Sequence, residues 1–288
     1  MGSNTNGVDL NVMSIDLEDW FCVYNLSHVF PPGDWPDCES RVERNTLRLL
    51  DLFARRHVEA TFFVLGWVAD RFPDLIREVE RQGHEIASHG YSHRLITHMT
   101  PDEFDTDLAK SLETLARCVS EPPQGFRAPS FSVTRQTLWS LDSMRKRGIR
   151  YDSSVFPIGF HPDYGIGDAP LSPYAQPNGL LEIPMSCAVF GGRRVPCSGG
   201  GYFRLFPYAT TRALMRRCQS QGRPVIFYLH PWEIDPGQPR VELPWSKKFR
   251  HYNNLDKTFG RLERLLSDFR FSSFRRVFED RLSGAAAA

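Results

Sequence analysis

No stretch of the chain approaches the roughly 20 consecutive apolar residues that crossing a bilayer requires, so no transmembrane segment is expected. The opening MGSNTNGVDLNV lacks the basic and apolar regions of a secretory signal, which makes a cytoplasmic location the expectation, with peripheral membrane contact left open. Charge of one sign is missing too. With 35 Lys and Arg against 34 Asp and Glu, the formal net charge of +1 gives no electrostatic footprint for nucleic acid. Cys22, Cys38, Cys118, Cys187, Cys197 and Cys218 form no CxxC pair, and a chain this long needs no covalent staples, so they read as reduced packing residues. HExxH is absent, which argues against a zinc protease. Repeats, low-complexity segments and blocks of like charge are absent as well. What remains is 288 residues, 41% hydrophobic and 12% aromatic, which excludes disorder and suits one large domain or two small ones.

Along most of the chain the hydrophobic period alternates between strand and helix. Val8, Leu10 and Val12 alternate with polar residues and lead into Ile15 and Asp16, a strand ending in acid. Helices are expected over 41–56, 73–82, 102–119, 134–147 and 207–220, and strands over 60–65, 84–89, 125–129, 149–152 and 224–230. From about 156 to 201, prolines and glycines such as Pro157, Pro162, Gly199 and Gly200 favour loops and short edge strands. Strands alternating with helices imply a parallel sheet, and several such units imply a barrel or a doubly wound sheet. Leu255, Phe259, Leu262, Leu265, Leu266 and Phe269 recur at helical spacing, so a helix over 254–268 must bury an apolar stripe. A barrel over 8–240, an extension over 241–280 packed on it, and loose ends at 1–7 and 281–288 are the expected organisation.

The residues with chemical potential fall at C-terminal strand ends, where a parallel barrel places its active site. In Asp16-Leu17-Glu18-Asp19-Trp20, three carboxylates within four residues repel one another and call for a cation, although for this cluster taken alone a solvated acidic loop is the better reading. His89 and His93 stand four apart and chelate a divalent ion if the chain turns helically; a chance pair among nine histidines is as good a reading. Arg127, fixed by the nearby Pro129, suits a bidentate grip on a carboxylate. Asp152 either serves a site or caps a turn. His230 closes the most apolar strand, where a polar residue favours function over packing.

In order and spacing these five pieces resemble the motifs of the polysaccharide deacetylases of the NodB homology type, carbohydrate esterase family four. Asp16 with Asp19 matches the opening aspartates, His89 with His93 the His-(Ser/Thr)-x-x-His motif, Arg127 with Pro129 the Arg-x-Pro motif, Asp152-Ser153 the Asp-Ser motif and Leu229-His230 the Leu-His motif. The resemblance covers roughly 8–235. Gly199-Gly200-Gly201-Tyr202-Phe203-Arg204 and the tail from Trp245 to Phe278 resemble an exopolysaccharide- and exosortase-associated subgroup with a C-terminal extension. Two departures stand out: the adjacent aspartates are spread out, so Glu18 competes with Asp19 as metal carboxylate, and Gly90 replaces the hydroxyl residue of the His motif.

The resemblance implies an irregular (β/α) barrel of the NodB deacetylase type, with about seven parallel strands and the active site at their C-terminal ends. It implies hydrolysis of N-acetyl groups on hexosamine residues of a bacterial polysaccharide or its precursor. One divalent metal, zinc the favoured ion, would be held by Asp19, His89 and His93. Asp16 would be the base, kept ionised by Arg127; His230 would be the acid, held by Asp152. Trp20, Pro129, Tyr202 and Trp232 are the residues expected to contact sugar. Two rivals are a metal-independent hydrolase of a small cyclic amide or ureide on the same fold, and a non-catalytic carbohydrate-binding protein.

Overall fold

The computed structural model describes residues 9–159, 161 and 164–284. Val8 and Pro162, the expected loose end over 1–7 and residues 285–288 of the one expected over 281–288 lie outside the described residues, whereas 281–284 of that end are helical, with Leu282 buried. Seven strands build the frame: β1 (Leu10–Leu17), β2 (Thr61–Val64), β3 (Glu85–Ser88), β4 (Gly125–Phe126), β5 (Tyr151–Asp152), β7 (Leu181–Glu182) and β10 (Ile226–Leu229). They run parallel in the order β10-β1-β2-β3-β4-β5-β7, with the short β6 (Tyr174–Ala175) antiparallel on the far edge of β7. Helices return between them: α1 (Val42–Arg56), α2 (Gly66–Arg71), α3 (Pro73–Arg81), α4 (Pro101–Ala116), α5 (Ser140–Lys146), α6 (Gly200–Leu205) and α7 (Tyr208–Ser220). The expected irregular α/β barrel with seven parallel strands is therefore present. α5 starts six residues later than the periodicity suggests, because the Thr137 hydroxyl ties back to the Ser132 and Thr134 carbonyls and holds a turn there.

Strand pairing leaves the barrel open between β7 and β10. The loop-rich stretch fills that gap with the hairpin β8 (Cys187–Phe190) and β9 (Arg193–Pro196) and the segment after it. There the Ser186 hydroxyl accepts the Ile226 N–H at 2.8 Å and the Ser198 carbonyl accepts the Tyr228 N–H at 2.7 Å. Gly199 and Gly200 both have positive φ, and a Cβ on either would fall 2.1 Å from the Tyr228 carbonyl oxygen or 2.5 Å from its ring. Only glycine passes that close to β10.

The tail folds back. α8 (Trp245–Tyr252) and α9 (Leu255–Asp268) follow β10, and Leu255, Leu262, Leu265 and Leu266 of α9 are buried against α1 and the turn at Pro231–Ile234. β11 (Arg270–Ser272) then pairs parallel with the start of β1. α10 (Phe274–Val277) and α11 (Glu279–Gly284) close the chain. Phe274 is fully buried and stacks on Tyr151 at 5.2 Å, while its N–H reaches the Thr61 hydroxyl and the Arg275 N–H reaches Glu85. This plug seals the end of the barrel opposite the strand C-termini. Among the described residues no helix is long and apolar enough to cross a membrane.

Two outcomes follow from this packing. Phe274→Ala should lower the unfolding free energy by about 3–5 kcal/mol in denaturant titration, the usual cost of emptying an aromatic core site; a loss below about 1 kcal/mol would mean that the tail is not part of the core. His84 is buried beside Phe53 and Phe62, its Nδ1 accepts the Ala60 N–H at 3.2 Å, and burial lowers its pKa to about 4. The native state thus binds fewer protons than the unfolded one between about pH 4 and 6.5, and stability falls as pH drops through that window, by up to about 1.4 kcal/mol per pH unit from this group. His84→Gln, which keeps an acceptor and does not titrate, should flatten the slope; an unchanged slope would contradict the assignment.

Candidate active site

Alternation along β1 decides which acids meet. Asp16 and Glu18 lie two residues apart and share the inner face at the strand's end. Arg127, wholly buried, donates from Nη1 to Asp16 Oδ1 at 2.6 Å and to the Ser14 hydroxyl at 2.9 Å, and from Nε to the Ser153 carbonyl at 3.1 Å. Its guanidinium also lies over the Phe63 ring at 4.1 Å. A buried cation with these partners fixes the position of the Asp16 carboxyl group.

Glu18, His89 and His93 present ligand atoms all within 4.8 Å of one another. His89 Nδ1 meets the Arg127 carbonyl at 2.8 Å. A carbonyl only accepts, so the proton sits on Nδ1 and the Nε2 lone pair is free for the site. Burial, followed by His93, lowers the His89 pKa to about 3, so this imidazole is neutral. Burial pushes the Glu18 carboxyl up, but His93, His230 and His89 outweigh it and hold it below the usual carboxylate value. Glu18 Oε2 approaches His93 Nε2 to 2.6 Å without hydrogen-bond alignment, and both Glu18 Oε2 and His93 Nδ1 are buried with no hydrogen-bond partner. A buried carboxylate oxygen facing imidazole lone pairs is a donor set suited to a cation.

Several expectations need correction. The two histidines do not share a helical turn: His89 follows β3, and positive φ at Gly90 and His93 folds the loop back. Asp107 does the work of the missing motif hydroxyl, accepting the Tyr91 N–H at 2.7 Å, the Ser92 N–H at 3.1 Å and the Ser92 hydroxyl at 2.5 Å. Asp19 does not join the histidines. Its carboxylate accepts from the Ser40 hydroxyl and the Trp20, Arg41 and Val42 N–H groups, anchoring the start of α1, and Glu18 stands in the place foreseen for it.

His230 faces this cluster from β10, its Nε2 3.4 Å from Glu18 Oε1 and 3.9 Å from Asp16 Oδ2. Asp152 does not hold it. Asp152 is hydrogen-bonded to the Ser154 hydroxyl at 2.5 Å and pairs with buried Glu182; burial raises the Asp152 carboxyl to about 6, and burial followed by Asp152 raises Glu182 well above the usual carboxylate range. The His230 Nδ1 partner is Glu233 Oε2 at 3.0 Å, and Glu233 Oε1 is gripped by Arg204 Nε at 2.6 Å. Burial alone lowers the His230 pKa, but Glu233, Glu18 and Asp16 overcome it and raise the value to about 9, which leaves the ring protonated at neutral pH. Burial likewise raises Glu233, yet Arg204 and His230 bring it down to about 2. Glu233 and Arg204 were not singled out from sequence; the available signal was an acid three residues beyond the strand-closing His.

A cavity of about 560 Å³ opens over these groups, lined by Asp16, Glu18, His89, His93, His230 and residues of α8. Tyr202 and Trp232 line it. Trp20 does not: it is buried against Phe21 and Phe30 and donates to the Glu39 carbonyl. Pro129 is buried, and Ser130 and Phe131 of its turn line the cavity in its place.

Residues 34–151 match the polysaccharide deacetylase family and 153–279 match a domain of unknown function, DUF3473. The chain is 30% identical over 132 residues to a peptidoglycan-N-acetylglucosamine deacetylase of Bacillus cereus, covering 42% of this chain and 46% of that protein. To a chitooligosaccharide deacetylase of Rhizobium leguminosarum bv. trifolii it is 33% identical over 122 residues, covering 42% and 51%. The chain thus spans about half the length of these relatives. A crystal structure from Mycobacterium smegmatis, assigned as a polysaccharide deacetylase, shares the fold with a TM-score of 0.62 at 18% identity, over 100% of this chain and 93% of that one. The polysaccharide deacetylase match covers the strands that carry the His pair and Arg127, the DUF3473 match carries His230, Glu233 and Arg204, and residues 34–151 are thus similar to the polysaccharide deacetylase family.

Proposed function

We propose that the chain hydrolyses N-acetyl groups on hexosamine residues of a glycan, releasing acetate. The observation that carries the reading is the pairing of opposites across one cavity: an arginine-held carboxylate, Asp16, facing a glutamate-held imidazolium, His230. Amide hydrolysis needs both, a base for the attacking water and an acid for the departing nitrogen. Binding sugar without turnover needs neither. The curated relatives carry deacetylase names, which supports the same chemistry.

Glu18, His89 and His93 fit a divalent ion, and zinc suits two imidazoles with one carboxylate. Such an ion, when bound, supplies Lewis-acid activation of water and of the acyl oxygen. Asp16 takes the proton from the attacking water, and Arg127 holds its other oxygen in place for that task. His230 then delivers the Nε2 proton to the amine nitrogen, since without protonation the tetrahedral intermediate returns to amide. Glu233 holds Nδ1 so that Nε2 faces the substrate. Exposed Trp245 and Phe249 on the cavity's rim favour a polymer over a small cyclic amide. The exopolysaccharide assignment rests on the resemblance of the glycine-rich segment and the tail.

Acetate release from N-acetylglucosamine oligomers is the direct assay. Asp16→Asn and His230→Ala should each lower kcat by about 10²–10⁴. The two variants should part in stability, because Asp16→Asn removes the counter-ion of a buried Arg127 and lowers the melting temperature, whereas His230→Ala barely changes it. Near-normal turnover in either variant would remove that residue from the scheme.

Metal analysis separates the two acids that compete as ligand. Glu18→Gln should purify with little bound metal, whereas Asp19→Asn should keep its metal and lose about 0.5–2 kcal/mol of stability through the weakened anchor of α1. Metal loss in Asp19→Asn alone would reverse the assignment.

A further inference from the structure

The geometry points to a task for the domain of unknown function: we propose that Arg204 is a positioning residue for His230, and that the tail builds part of the active site by holding Arg204. The inference rests on His230 acting as the acid.

Arg204 lies in the segment Gly199-Gly200-Gly201-Tyr202-Phe203-Arg204, which glycine allows to cross close to β10. Its side chain is buried, and all its acceptors are fixed. Nε donates to Glu233 Oε1 at 2.6 Å, Nη1 to the His251 and Asn253 carbonyls at 2.9 and 3.1 Å, and Nη2 to the Arg250 carbonyl at 2.9 Å. Those three carbonyls end α8 and the cap that follows it. The last carbonyls of a helix have no partner within it and carry its negative end, so a planar guanidinium with several donors satisfies them together. The tail grips the main chain of Arg204 as well: Asn254 Nδ2 and Arg261 Nη1 both donate to its carbonyl, at 2.8 and 2.9 Å.

The contact is thus a chain of fixed links from tail to acid. α8 fixes Arg204, Arg204 fixes one oxygen of Glu233, and the other oxygen accepts from both Nδ1 and the main-chain N–H of His230 at 3.0 Å. Trp232 stacks on His230 at 5.3 Å and on His251 of α8 at 4.6 Å, with the Arg204 guanidinium 5.2 Å from its ring. Neither the edge nor the face of the His230 ring is left to barrel residues alone. A glutamate held on one side only would turn about its terminal torsion and release the imidazole.

The test compares wild type with Arg204→Lys and Arg204→Met, reading acetate release from N-acetylglucosamine oligomers, melting temperature and metal content. A lysine keeps the charge and cannot span three carbonyls and a carboxylate. Arg204→Lys should lower kcat by about 10–100-fold with KM within about twofold and metal content unchanged. In Arg204→Met, millimolar guanidinium should restore part of the lost kcat. Unchanged kcat in Arg204→Lys, or a loss confined to KM, would overturn the proposal. A second readout is independent of turnover: the His230 Nδ1–H proton resonance, assigned by its loss in His230→Gln, should be protected from exchange in wild type and exchange faster in Arg204→Lys. If wild type releases no acetate, the deacetylase reading fails while this resonance still decides the clamp; identical exchange in both proteins would overturn it. If Arg204→Met does not fold, Arg204→Lys and the resonance carry the decision.

Discussion

A guanidinium with no access to water, Arg127, sits inside the barrel, and the rest of the structure is arranged to make that tolerable. Stripping an ion of water costs several kcal/mol, and breaking a buried pair by removing one partner costs about 3–5 kcal/mol. Asp16 supplies the counter-charge, Ser14 and Ser153 supply acceptors, and Phe63, Phe131, Tyr228 and Phe274 surround the cation with aromatic faces. One of those rings, Phe274, comes from the far end of the chain, so the tail is tied to the centre of the site from below. The main-chain carbonyl of Arg127 orients His89. One buried charge therefore links the base, one imidazole of the candidate metal cradle and the barrel floor.

Around that charge the carboxylates divide according to their neighbours. Glu18 is kept ionised by imidazoles, and Glu233 by Arg204 and His230, whereas burial outweighs the partners of Asp152 and, together with Asp152, raises Glu182. The imidazoles divide in the same way: buried His89 is neutral, and His230, among three acids, is protonated. Opposite protonation states across one cavity are what hydrolysis of an amide uses, and here they follow from partners and burial alone.

Much of this was legible in the residue order. Strand-ending acids, a strand-closing His and the alternation of strand and helix periods located the frame and the mouth of the barrel, since these signals are local. The choice between Glu18 and Asp19 was partly local too: two-residue alternation along β1 puts Asp16 and Glu18 on one face and sends Asp19 towards α1. The link from His230 to Glu233, Arg204 and α8 was not legible. It joins residues 46 to 49 positions apart through main-chain carbonyls, which leave no side-chain pattern to read. Trp20 misled for a related reason, because an aromatic beside a catalytic acid is a packing residue or a platform according to where the following loop turns.

Anomalous diffraction at the zinc absorption edge, on crystals of the metal-loaded protein, tests the central arrangement. The account predicts one strong peak within bonding distance of Glu18, His89 and His93, with Asp16 and His230 outside the coordination shell. A peak on Asp19, or a cavity with no peak in protein that releases acetate, would contradict it.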